Sequence, residues 1–118
     1  IFANPIAVNA TNKKAFSHES GSNDDGSALS ASLETGYFSG DANGDNLIFM
    51  NRIIPDTTFS QGTSLNFTLK SKRYPNDSET TKGAFAVTSS TKKLNLRARG
   101  RSFQCKWEST ATDNGIIY

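Results

Sequence analysis

The chain has 118 residues, of which 35% are hydrophobic and 20% charged, and its formal net charge is +2. This length suits one domain with a modest core, and no apolar run is long enough to predict a membrane span. Abundant Ser, Thr, Asn and Gly favour short strands and turns over helices. The single cysteine, Cys105, excludes an internal disulfide, and its place in an apolar alternation predicts a buried small side chain.

Charge is unevenly distributed along the chain. Residues 1–59 hold three bases and seven acids, whereas residues 60–118 hold ten bases and four acids. The second half is therefore the candidate for contact with an anionic partner. The chain opens without methionine and stops on apolar residues, which predicts a fragment of a longer polypeptide. We expect one β domain or domain fragment over residues 1–118, with a polar loop at residues 9–26 and the main β region at residues 27–118.

The N-terminal residues predict a strand followed by that long loop. Residues 2–8 favour an edge strand, whereas residues 9–26 are almost entirely polar. Loops of this length are typically functional or disordered. The ionisable side chains in it that merit consideration are His18, Glu19, Asp24 and Asp25. We interpret them as solvated, because the chain has no second histidine to complete a metal site.

Residues 27–38 alternate apolar and polar side chains, which predicts a strand. A short helix capped by Asp25 or Ser27 also fits this run. Residues 39–46 are rich in Asp, Asn and Gly and predict a turn.

This turn has the oxygen spacing of the first half of an EF-hand calcium loop, at Asp41, Asn43 and Asp45. The pattern then fails, because Asn46 stands where glycine is needed and Arg52 where a bidentate glutamate is needed. We therefore interpret the segment as a hairpin turn and assign no metal ligand, since Asn, Asp and Gly are the residues of tight turns.

Residues 47–54 form the most apolar run of the chain. Near-continuous hydrophobicity with β-branched residues predicts a central strand that is buried on both faces and ended by Pro55. Arg52 lies within this run, and we expect it either to snorkel from an edge position or to pair with Asp56 or Glu34, because buried charges are normally paired.

Residues 64–72 alternate strictly, which predicts a one-sided antiparallel strand with Leu65, Phe67 and Leu69 facing the core. The following segments are predicted as a turn at residues 74–77, a loop to residue 83, a short strand at residues 85–87, a turn at residues 89–93 and a last strand beginning at residue 116. About seven strands separated by regular turn signals predict an all-β fold of antiparallel strands, either a portion of a β-propeller blade, a barrel or a β-sandwich.

Residues 94–107 hold two apolar alternations of opposite parity. The first is Leu94, Leu96 and Ala98, and the second is Phe103, Cys105 and Trp107. A one-residue shift moves every side chain to the other face of a strand. Both sets of apolar side chains can therefore point into the same core only if the chain bulges or turns near Gly100.

Basic side chains gather in the same region of the sequence. The candidates for contact with DNA or with an acidic partner are Arg97, Arg99, Arg101, Lys70, Lys72 and Arg73. The alternative is that they are the solvated faces of ordinary strands. Contact with phosphates would be independent of base sequence and sensitive to salt.

Two segments resemble blocks in β-rich virion proteins of tailed bacteriophages. The first runs from Leu-Glu-Thr-Gly-Tyr-Phe at residues 33–38 to Asn-Arg-Ile-Ile-Pro-Asp at residues 51–56. The second comprises Lys-Ser-Lys-Arg-Tyr-Pro at residues 70–75, Thr-Lys-Gly-Ala-Phe-Ala-Val at residues 81–87, and Thr-Lys-Lys followed by Arg-Ala-Arg-Gly-Arg within residues 91–101. This second block is similar to the C-terminal region of tail-tube, nozzle or hub proteins of short-tailed phages.

The resemblance implies a structural component of a phage virion, located in the tail as a nozzle or hub segment. Proteins of that family are built from β-propeller or stacked β-domains and work by assembly contacts. It therefore implies a homo-oligomeric ring with other virion proteins as partners, and a DNA conduit that the basic residues would line.

The residues also bear on three other possible functions. A carbohydrate-binding β-sandwich for receptor recognition would use exposed Tyr37, Tyr74 and Trp107 as stacking platforms, but Trp107 shares the parity of the core residues. A capsid decoration protein is a further alternative. An enzyme is not expected, because His18 stands alone and no nucleophile motif or phosphate-binding loop occurs. We assign no catalytic residue, cofactor or small-molecule substrate.

Overall fold

A computed structural model describes residues 4–18, 26–61, 64–109 and 115–117. Over these residues the chain is all-β with antiparallel strand pairs, as the composition predicts. The strands are β1 (Ile6–Asn9), β2 (Lys14–Ser17), β3 (Ala31–Glu34), β4 (Phe38–Ser39), β5 (Ile48–Ile53), β6 (Thr58–Gln61), β7 (Ser64–Lys72), β8 (Thr80–Thr88), β9 (Leu94–Gly100), β10 (Ser102–Ser109) and β11 (Gly115–Ile117). The part of the chain described here contains no helix of the length and hydropathy that crossing a membrane requires.

A five-stranded sheet forms the main layer of the molecule. Its order is β3-β10-β7-β8, and β4 also pairs with β10 beyond the end of β3. β7 alternates strictly, with Leu65, Phe67 and Leu69 fully buried, as the sequence predicts. β8 begins at Thr80, so the loop predicted up to residue 83 is shorter than expected.

The strand β9 brings a second layer onto this sheet. β9 pairs with β5 in a separate two-stranded sheet, and its buried residues are Leu94, Leu96 and Ala98. These three side chains join the buried residues of the five-stranded sheet in a single hydrophobic cluster. Asn95, Arg97 and Arg99 lie on the opposite, exposed face, as period-two alternation requires.

The parity change predicted near Gly100 is confirmed. A bend at Arg101 separates β9 from β10, after which Phe103 is fully buried on the core side. At the bend the Arg101 amide donates to the carbonyl of Lys72 at 2.8 Å. Gly100 passes so close to β7 that a Cβ there would lie 2.8 Å from the same carbonyl oxygen. The glycine is required by this close approach of two backbones.

Residues 47–54 do not form a central strand buried on both faces, and that prediction is wrong. Among the described strands, β5 pairs with β9 alone. Leu47, Phe49 and Ile54 are 53%, 54% and 72% exposed. A shift of register in β5 lets its other face pack against the core through Ile48, Met50 and Ile53. Hydrophobicity predicted a strand correctly, but it carries no information about whether the same chain covers both faces.

The loop prediction for residues 9–26 is also wrong over Lys14–Ser17, where β2 pairs with β1 in a hairpin. Asn9 and Asn12 each accept a hydrogen bond from the backbone two residues ahead, and Lys13 adopts a φ of 56°. Asparagine side chains of this kind turn the chain locally. The sequence prediction missed the hairpin because both of its strands are short and largely exposed.

Candidate functional site

Lys70 is neutralised by carboxylates on the outer face of the five-stranded sheet. Its Nζ lies 2.7 Å from Glu34 Oε1 and 3.8 Å from Glu79 Oε1. The hydrogen bond to Glu34 raises the pKa of Lys70 above its usual value. Lys70 is therefore a member of an ion-paired cluster, and its charge is largely compensated locally.

Lys72 belongs to the same outer-face cluster through Tyr37. The Lys72 ammonium lies 4.9 Å from the centroid of the Tyr37 ring, and Tyr37 Oη donates to Glu79 Oε2 at 2.6 Å. That hydrogen bond raises the pKa of Tyr37 and lowers the pKa of Glu79. The outer-face cluster thus consists of Glu34, Tyr37, Lys70, Lys72 and Glu79, with two cations and two carboxylates.

Arg101 is occupied at the bend between β9 and β10. Its Nη2 donates to the carbonyl of Asp45 at 2.7 Å and lies 3.4 Å from the Asp45 carboxylate. The guanidinium also stacks 5.4 Å from the centroid of Tyr74, and its Nε is buried without a hydrogen-bond partner in the described residues. Arg101 therefore holds the turn before β5 against the bend.

The remaining predicted cations meet in a groove of about 470 Å³ beside β9. The groove is lined by Ser71, Arg73, Asp77, Ser78, Thr80, Lys82, Arg97, Ala98 and Arg99, and we call it the basic groove. One wall is β9 at residues 97–99, and the other is the end of β7, the turn after it and the start of β8. The fold therefore brings together residues that are more than twenty positions apart in sequence.

Four of the lining residues are cations, Arg73, Lys82, Arg97 and Arg99, and we call them the groove cations. Within the described residues none of the four forms an ion pair. Asp77 is the one acid in the lining. Like charges in a concave site reinforce one another's potential and attract anions. The sequence did not identify Lys82 as a candidate contact residue, because residue 82 was predicted to lie in a loop. In the structure it lies in β8, which begins at Thr80.

A second concave region of about 490 Å³ shares Arg97 with the basic groove and continues past Arg52. Arg52 forms no ion pair among the described residues, so the predicted pairing with Asp56 or Glu34 is wrong. Glu34 lies in the other sheet, where Lys70 binds it. Arg52 instead extends the positive surface along the β5-β9 sheet.

The aromatic residues considered as sugar platforms are already in contact with other groups. Trp107 packs on Phe67 with ring centroids 4.5 Å apart and lies against the hydrophobic core. Tyr37 forms a cation–π contact with Lys72, and Tyr74 forms one with Arg101. Trp107 is therefore packed against the core, whereas Tyr37 and Tyr74 are 39% and 56% exposed.

The other residues considered from the sequence do not assemble a site in the described residues. Among these residues no group of three His, Cys, Asp or Glu side chains is placed to hold a metal ion. Glu19, Asp24 and Asp25 lie outside the described residues, and the backbone amide of His18 donates to the carbonyl of Pro5. In the predicted turn the Asn46 side chain donates to Asp41 at 2.8 Å. Burial raises the pKa of Cys105, which keeps it in the thiol form.

Comparison with known proteins finds no matching family model, no similar curated protein and no similar solved structure.

Proposed function

We propose that this chain is a structural component of a tailed-phage virion, a tail nozzle or hub segment that acts through assembly contacts in a homo-oligomeric ring. The proposed role involves no catalysis, cofactor or small-molecule substrate. The two sequence blocks that resemble virion proteins support it, and so does an all-β chain with large exposed apolar side chains.

The observation that carries the proposal is the uncovered side of residues 47–54. Leu47, Phe49 and Ile54 are all more than half exposed in the most apolar segment of the chain. Large apolar side chains exposed together on one segment are typical of sites that a partner covers. A neighbouring subunit in a ring would bury these side chains, which explains why a strand of this composition has one free side.

Two features of the strands are consistent with assembly contacts. Among the described strands, β8 is a nine-residue edge strand of the main sheet, and β5 is an edge strand of the two-stranded sheet. Edge strands present unpaired backbone groups that readily accept another strand. The molecule is also elongated, with extents of 60 × 32 × 22 Å.

The direct test of the proposed function is to image particles that carry a label on this chain. A ring of density around the tail axis is expected. A position in the capsid shell would identify a decoration protein and contradict the proposal, as would the absence of the label from particles.

The assembly surface is tested by substitution in the same particles. Leu47→Ser combined with Ile54→Ser should reduce incorporation into the virion, because both apolar side chains would be buried between subunits. Leu29→Ser is the matched control, since Leu29 is 54% exposed but lies outside this segment. Equal incorporation of the double variant and the control would contradict a contact at residues 47–54.

A further inference from the structure

The basic groove is the strongest unpartnered charge feature in the described part of the chain. Its four groove cations, Arg73, Lys82, Arg97 and Arg99, face a single acid, Asp77. The other predicted cations are engaged: Lys70 is ion-paired, Lys72 lies on a tyrosine ring and Arg101 binds Asp45. The fold thus sorts the basic residues into a compensated group and an uncompensated group.

We infer that the basic groove binds the phosphate backbone of DNA without reading base sequence. The inference rests on the proposed virion function for the presence of DNA beside the chain. The chemistry of the contact depends only on the groove itself.

The spacing of the groove cations suits a chain of phosphates. Arg97 and Arg99 are two residues apart on one strand and point to the same exposed face. That separation is about 6.6 Å along the strand, so the two arginines occupy successive positions on the same face of β9. Arg73 and Lys82 supply charge from the opposite wall. Guanidinium groups bind phosphate oxygens bidentately, which adds orientation to the charge attraction.

The lining favours nucleic acid over an acidic protein. Protein interfaces are depleted in charged residues at their centre and rely on buried apolar anchors. The basic groove has Ala98 as its one apolar lining residue, and its uncharged polar groups are hydroxyls, including Ser78 and Thr80. Arginine, lysine and hydroxyl groups are the ordinary partners of DNA phosphates.

The inference is tested by fluorescence anisotropy with the full chain and a labelled DNA duplex of mixed sequence, over a series of salt concentrations. If all four groove cations contact phosphates, the plot of log K against log salt has a slope of about −3.6. Removing two contacts with Arg97→Ala and Arg99→Ala should reduce the slope to about −1.8. Affinity at about 50 mM salt should then fall roughly 100-fold.

A second variant and a matched control separate the groove from net charge. Arg73→Ala with Lys82→Ala removes two cations from the opposite wall and should reduce the slope by the same amount. Lys70→Ala with Lys72→Ala makes the same change in net charge on the outer-face cluster and should leave the slope unchanged. Circular dichroism checks that each variant is folded, which is expected because Arg97 and Arg99 are exposed.

Three results would overturn the inference. Equal loss of binding in the groove variants and the control would indicate general attraction to a basic chain. Absence of duplex binding at low salt would exclude the contact. Binding of polyglutamate in the groove with no binding of DNA would identify an acidic protein as the partner. A chain located in a tail ring but inert to DNA overturns this inference alone, whereas DNA binding by a chain absent from the tail overturns the proposed function alone.

Discussion

At the scale of single residues, the structure distinguishes basic side chains that are chemically alike in the sequence. Arg101 and Arg99 are two positions apart, yet one holds the Asp45 carbonyl and the other faces the open groove. The difference arises from the bend at Arg101, which turns that side chain toward the turn before β5. A charge therefore becomes available for binding only where the fold leaves it without a local carboxylate or carbonyl.

The hydrogen bond from Tyr37 to Glu79 gives a prediction that is checked on one carboxyl group. Tyr37→Phe should raise the pKa of Glu79 toward the ordinary value of about 4.3, because that bond is the largest cause of its depression. The depressed pKa means that the stabilisation is present at neutral pH and is lost as pH falls through the folded-state pKa. NMR titration of the Glu79 side-chain carbon measures the change. Tyr74→Phe is the control, and an unchanged Glu79 midpoint in Tyr37→Phe would refute the assignment.

At the scale of strands, one continuous segment serves two sheets. β9 pairs with β5, and after the bend β10 pairs with β3, β4 and β7. The bend changes parity, so both strands keep their apolar side chains on the core. The exposed arginines of β9 are in turn directed away from the outer-face cluster and toward the groove.

The close approach at the bend gives a prediction about stability. Gly100→Ala should lower the free energy of unfolding by about 1–3 kcal/mol, because its Cβ would press on the Lys72 carbonyl and Ser71. Gly36→Ala is the matched control, since no atom lies within 4 Å of a Cβ there. Urea denaturation followed by Trp107 fluorescence measures both. Equal stability of the two variants would show that β9 and β7 are further apart.

The two faces of the strands give a second prediction. Phe67→Ala should cost about 3–5 kcal/mol, because Phe67 is fully buried and packs on Trp107. Phe49→Ala should change the stability of the isolated chain by well under 1 kcal/mol, since Phe49 is more than half exposed. The comparison uses the same denaturation measurement. A large loss for Phe49→Ala would mean that β5 is covered within the chain.

At the scale of the whole molecule, the chain is more extended than its length requires. The radius of gyration is 19.2 Å, compared with about 13–14 Å for a compact domain of this length. Within the described residues the buried core side chains lie in β7 to β10, while β1 and β2 contact mainly each other. This shape leaves a large surface relative to the core.

The separate hairpin gives a prediction about the whole chain. Deleting residues 4–18 should leave the urea midpoint of the remaining chain unchanged, because the hydrophobic cluster of the described residues contains none of them. The radius of gyration measured by small-angle scattering should fall. A lowered midpoint would instead show that the hairpin packs on the core.

The fold class and the inward faces of the strands with the clearest alternation follow from local patterns in the amino-acid sequence. Strict alternation in residues 64–72 identified Leu65, Phe67 and Leu69 as core, and the parity change in residues 94–107 required the bend near Gly100. These inferences succeed because alternation with period two is a local property of the strand. Each needs no knowledge of which strands are neighbours.

Which strand faces are covered and which charges are compensated depends on how the chain folds. The apolar run at residues 47–54 looked buried in the sequence, yet one side of β5 has no neighbour among the described residues. Lys70 and Arg97 looked equivalent, yet among the described residues Glu34 pairs with Lys70 and Arg97 has no ion pair. The physical reason is that burial of a strand face and pairing of a charge both depend on residues that are distant in sequence. Alternation within a strand does not show which strands become its neighbours.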